Sequence, residues 1–122
     1  MAQTFAPFAL PSGAQQFQDT NIGNTADVIK TSAGTLFVAE VDNTANVTPV
    51  YIKLYDTAGA VVVGTTVPDH VIKIQASKKQ DISLAMGGMP FAAGIQACCV
   101  TTGGTAGNTA PGGAAIFTGA KS

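Results

Sequence analysis

The chain has 122 residues, room for one domain with a core of its own. Hydrophobic residues make up 46% and charged residues 11%, against roughly 25% charged in an ordinary soluble domain. The net charge is −1 and the basic residues are all lysines, of which only Lys78 and Lys79 are adjacent, so the clustered Arg/Lys footprint of a nucleic-acid binder is excluded. A surface so poor in charge suits contact with other protein, because covering it desolvates few ions.

Residues 1–26 carry Phe5, Phe8, Leu10 and Phe17 among Gln, Thr and Ala, with Pro7 and Pro11. Neither the helical nor the strand period is sustained, and each proline favours extended backbone at the residue before it. This reads as an extended N-terminal arm whose aromatic side chains lie on its own domain or on a neighbouring subunit. Residues 1–13 lack the basic start and continuous apolar stretch of a signal peptide. No stretch reaches the ~18 apolar residues of a membrane span. The expectation is a protein made in the cytoplasm, with no membrane partner.

From residue 27 onward, short alternating runs are cut by Gly, Pro, Asn and Asp. Strands are expected at 28–31, 35–42, 50–55, 71–76, 81–85, 95–102 and 114–117, with a short extended piece at 60–63. In 35–42, Phe37, Ala39 and Val41 alternate against Glu40 and Asp42. The clearest alternation is Val50, Ile52 and Leu54 against Tyr51, Lys53 and Tyr55, so the first set belongs in the core and the second faces water or a partner. Asp56-Thr-Ala-Gly59 is a turn. Residues 95–102 are the most continuously apolar and read as a central strand, while 103–113 reads as a flexible Gly/Thr/Asn hairpin loop. Seven to eight short strands without a convincing helix predict an all-β, single antiparallel β-sandwich over 27–122, jelly-roll-like or Ig-like, with a small barrel as the runner-up.

Few residues suggest chemistry. His70 follows Asp69 on an extended chain, where neighbouring side chains diverge, and no motif sets a nucleophile beside it. The seven acids are scattered singly; Glu40 and Asp42 share a run, too few oxygens for calcium, and read as the solvated face of an edge strand. Cys98 and Cys99 are adjacent, so on a strand they point to opposite faces and form neither an ordinary disulfide nor a zinc motif. Gly103-Gly104-Thr-Ala-Gly107 lacks the Lys-Ser/Thr and the helix of a phosphate loop. Asn46-Val47-Thr48 matches a glycosylation sequon by chance. No catalytic residue, metal or cofactor is expected. A glycan-binding module is the rival use of such a sandwich, with Tyr51 and Tyr55 as its platform.

The ordered set Pro49-Val-Tyr-Ile-Lys-Leu-Tyr-Asp-Thr-Ala-Gly59, Val63-Gly-Thr-Thr-Val-Pro68, Val71-Ile-Lys-Ile-Gln75, Gly88-Met-Pro-Phe-Ala-Ala-Gly-Ile95 and Val100-Thr-Thr-Gly-Gly104 resembles a pattern in small β-sandwich virion proteins of tailed bacteriophages. The resemblance spans about residues 35–113 and leaves the arm outside. It implies a non-enzymatic protein of the virion: a capsid decoration (cement) protein that binds and stabilises the assembled head, or else a neck or tail component. The implied partner is the major capsid protein or another virion protein, met as a homo-oligomer with a trimer favoured. Phe5, Phe8, Leu10 and Phe17 are the expected partner-binding residues of the arm, and Tyr51, Lys53 and Tyr55 the candidates on an exposed face.

Overall fold

The structure, a computed structural model, describes residues 13–84 and 86–122. Among these residues the chain is all-β, with nine strands and no helix. They are β1 (Gln15–Ile22), β2 (Asp27–Lys30), β3 (Gly34–Asp42), β4 (Val50–Tyr55), β5 (His70–Ile74), β6 (Lys79–Asp81), β7 (Met89–Phe91), β8 (Ile95–Val100) and β9 (Ala115–Lys121). One sheet runs β1-β9-β3, with β6 and β7 both beside β3; the other runs β2-β8-β4-β5. The antiparallel pairings are nested, β1 with β9, β2 with β8, β3 with β6 and β7, and β4 with β5. Successive nested pairs fall in alternate sheets, which is the winding of a jelly roll and decides between the two sandwich topologies expected.

The core lies between the sheets and includes Leu36, Val41, Val50, Ile52, Leu54, Ile74, Ile95 and Phe117, all fully buried. Each such side chain contributes about 1.5–3 kcal/mol by leaving water. The 95–102 run behaves as read: β8 sits between β2 and β4, and all six of its residues are buried. Cys99 enters the main core while Cys98 points to the opposite face of the sheet, as adjacent strand residues must.

Several expectations shift. Of the arm expected over 1–26, residues 15–22 form β1, the edge strand of the first sheet, so this part lies on its own sandwich. Phe17 packs edge-to-face on Phe117 with ring centroids 5.3 Å apart. It also lies over Gly119, where a Cβ would come within 2.7 Å of the ring. Phe5, Phe8 and Leu10 lie outside the described residues. In β3 the register against β9 slips between Leu36 and Val38. This bulge reverses the facing of the strand's first half, so Leu36, Ala39 and Val41 are buried and Phe37 stays half-exposed. β3 is interior, flanked by β9 and β6, so Glu40 and Asp42 do not mark an edge strand. Residues 60–63 form no strand and lead into a turn in which the N–H groups of Thr65 and Thr66 donate to the Val62 carbonyl. The 81–85 run contributes only Asp81 to β6, although Ile82 still reaches the core. β7 appears where a break was expected; its Pro90 is tolerated because β7 pairs on one side only, with β3.

Candidate functional site

The alternation of β4 points Tyr51, Lys53 and Tyr55 to the outer face of the second sheet, as read from the sequence. That face is not exposed. Lys53 and Tyr55 are fully buried and Tyr51 is half-buried, because loops 56–69 and 101–114 fold over them. A second, smaller core forms there from Tyr55, Cys98 and Val100, with Tyr51, Val61 and Val63 packed against it. The Tyr55 hydroxyl pairs with the Cys98 thiol at 3.7 Å.

Lys53 anchors the cover. Its ammonium donates to the backbone carbonyls of Gly104 at 2.7 Å, Gly107 at 2.7 Å and Thr105 at 3.5 Å. Three N–H groups meet three acceptors, so a buried cation is satisfied without a carboxylate. The glycines make this approach possible. A Cβ on Gly103 would meet the Tyr51 ring at 2.9 Å, and one on Gly107 would overlap the Thr102 carbonyl. The Gly/Thr/Asn segment is thus a tied-down strap rather than a free hairpin loop, and its backbone occupies the tyrosine face on which a sugar would stack.

One end of the sandwich gathers the connections 23–26, 43–49, 75–78 and 101–114. A buried asparagine pair knots three of them. Asn43 donates its side-chain N–H groups to the carbonyls of Thr48 (3.1 Å) and Gln75 (3.0 Å). Asn46 donates to Asn43 Oδ1 (2.8 Å) and the Gly113 carbonyl (3.2 Å), and its own Oδ1 accepts the Gly113 N–H at 2.7 Å. The asparagine of the apparent sequon therefore has both amide hydrogens engaged inside the protein. The 23–26 turn joins through Asn24, which donates to the Asn108 carbonyl at 3.0 Å.

The acids are less scattered than their sequence positions suggest. Asp56, just beyond β4, accepts the N–H groups of Ala92, Ala93 and Gly94 at 3.0, 2.8 and 3.4 Å and so fixes the β7–β8 turn. These bonds, with a smaller contribution from the charge of nearby His70, hold its carboxyl below the usual carboxylate range. Asp42 accepts the hydroxyl and N–H of Thr44, which likewise lowers it. Asp19 on β1 and Asp27 on β2 meet across the edge of the sandwich. A hydrogen bond to Asp19, partial burial and the charge of Asp19 raise Asp27 to about 6.

His70 opens β5, half-buried, with its ring edge-to-face on Phe91 at 6.0 Å. Burial is the main cause that raises both thiols, Cys99 to about 12, so both stay protonated at neutral pH. Among the described residues no three His, Cys, Asp or Glu side chains gather as a metal site requires. What remains open is surface. Val28, Val38, Val47, Val62, Val67, Val71 and Met86 are exposed. A groove of about 510 Å³ opens beside the β3 bulge, lined by Phe37, Val38, Ala39, Ile82 and Leu84 with Glu40 and Asp81.

Sequence reasoning singled out Lys53 but missed its role, because nothing local shows that a loop fifty residues later supplies its acceptors. Asn43 and Asn46 read as turn residues; their burial depends on the topology. The Asp19–Asp27 meeting follows from the crossing between sheets at residues 23–26. Comparison of the chain with protein-family models, curated proteins and solved structures finds no match in any of the three.

Proposed function

We propose that this chain is a non-enzymatic structural protein of a bacteriophage virion, a capsid decoration protein that binds the assembled head, with a neck or tail position as the alternative. One observation carries the reading. Every buried side-chain polar atom among the described residues has a partner inside the protein, while large apolar side chains stand on its surface. Exposed apolar side chains of this kind favour recognition by surface contact with protein. The jelly roll fits by analogy of fold alone, since capsid and lectin domains both use it. The ordered motifs from Pro49 to Gly104 supply the resemblance to phage virion proteins.

In this reading the residues before β1, with Phe5, Phe8 and Leu10, are the part that grips the lattice, and many copies make weak contacts effective. A trimer matches the symmetry of sites on a capsid. Because β1 begins at Gln15, removal of residues 1–12 leaves the nine described strands whole. Sedimentation with assembled heads gives the test. The full chain pellets with the heads, whereas the chain without residues 1–12 stays in the supernatant at unchanged melting temperature. Equal pelleting of both removes the arm from the account.

A further inference from the structure

The first sheet ends at β1 and the second at β2 on the same side of the sandwich, joined by the short turn 23–26. Among the described residues β1 pairs only with β9 and β2 only with β8. Between them a cleft of about 430 Å³ is lined by Phe17, Asp19, Thr20, Asp27, Val28 and Ile29, among others. Half-buried Asp19 and exposed Asp27 thus line one cleft where the sheets part. Asp19 Oδ1 already accepts the Asn21 N–H at 3.1 Å, which keeps that oxygen an acceptor. A hydrogen bond between the two carboxyls needs a proton on one of them.

Among the described residues no cation pairs with Asp19 or Asp27. The ion pair found among the described residues joins Lys79 to Asp42. From β2 itself, Lys30 reaches the Ser122 carbonyl at 2.7 Å, and from β9 Lys121 reaches Gln15 at 2.7 Å. From β8 the nearest titratable group is the Cys98 thiol, which itself feels the charge of Asp27. The residues of loop 101–114 carry no charge.

We propose that Asp19 and Asp27 form a proton-operated clasp between the edge strands of the two sheets. With one proton shared, a hydrogen bond ties β1 to β2. With both carboxylates ionised the edges repel there, and β1, paired on one side only, is the element that yields. The clasp needs no assumption about the virion reading, and its failure leaves that reading untouched.

The direction of the pH effect follows. The folded chain holds the Asp27 proton more tightly than the unfolded chain, about 6 against 3.8. The stabilisation is therefore full below the unfolded value and lost as pH rises through about 6. Asp42 and Asp56 act oppositely, since their lowered carboxyls lose their contribution only as pH falls below the usual carboxylate range.

Thermal unfolding of the full chain from pH 7.5 to 4.5 tests this, with Asp27→Asn as the comparison. The amide donates to Asp19 at every pH. The unmodified chain gains about 3–6 °C on acidification after allowance for solvent screening. Asp27→Asn lacks that gain and melts near the unmodified chain's acidic value throughout. Carboxyl NMR places the Asp27 titration near pH 6. Identical pH profiles for the two proteins overturn the clasp, as does titration of Asp27 below pH 4.5. Stabilisation by millimolar calcium at pH 7.5 that Asp27→Asn abolishes, with no proton effect, would make the pair a cation site instead.

Discussion

Replacement Lys53→Met is expected to destabilise the protein by about 3 kcal/mol and to release the strap over the second sheet. Methionine keeps the apolar stem in place, so the change removes little but the ammonium. The carbonyls of Gly104 and Gly107, each 2.7 Å from that ammonium, lose their partner while the loop still covers them. A buried acceptor left unpaired costs about 1–3 kcal/mol. Relief of the buried charge returns part of this, which holds the total below the sum of two such losses. Hydrogen exchange separates the local effect from the global one: the amides of 101–114 speed up more than those of β3 and β9. Lys53→Arg does not rescue, because a planar fork does not match three carbonyls converging on one nitrogen. A loss under ~0.5 kcal/mol would show that the strap is held by its packing on Tyr51 rather than by the lysine.

The second large effect is expected at Asn46→Asp, which changes one nitrogen to oxygen. The side-chain oxygen that accepts from Gly113 survives, but the donor to Asn43 Oδ1 and to the Gly113 carbonyl is lost. At neutral pH the introduced carboxylate confronts two acceptors in a buried site, at a cost of about 3 kcal/mol or more. Acidification restores a donor to the introduced carboxyl, so the variant recovers part of its deficit as pH falls through the raised pKa of that group. Denaturant unfolding at pH 7.5 and pH 5 measures both statements. Equal stability of the variant and the unmodified chain at pH 7.5 would remove the asparagine knot from the account.

These two residues show how far the sequence could be read. The period of β4 assigned the facing of Val50, Ile52, Leu54 and their alternates, because side-chain direction along a strand is a local property. It did not reveal that Tyr51, Lys53 and Tyr55 are covered, since the cover comes from loops 56–69 and 101–114. β1 escaped notice because an edge strand needs few core residues, and in Gln15–Ile22 only Ile22 is fully buried, with Phe17 half-buried. Strict alternation groups Phe37 with Ala39 and Val41, but the bulge after Leu36 leaves it half-exposed while they are buried. The acids were read one by one. A carboxylate pair built across two sheets, such as Asp19 with Asp27, has no spacing signature at all. Fold class depends on many weak periodic signals that agree, whereas each of these sites depends on one long-range meeting.

The central claim is that the chain is a component of a virus particle. Mass spectrometry of particles purified from the culture that produces it tests this most directly. The chain is expected in the particle fraction in many copies per particle, retained through density-gradient purification. Its absence from purified particles, with the protein found in the cell lysate alone, would contradict the account.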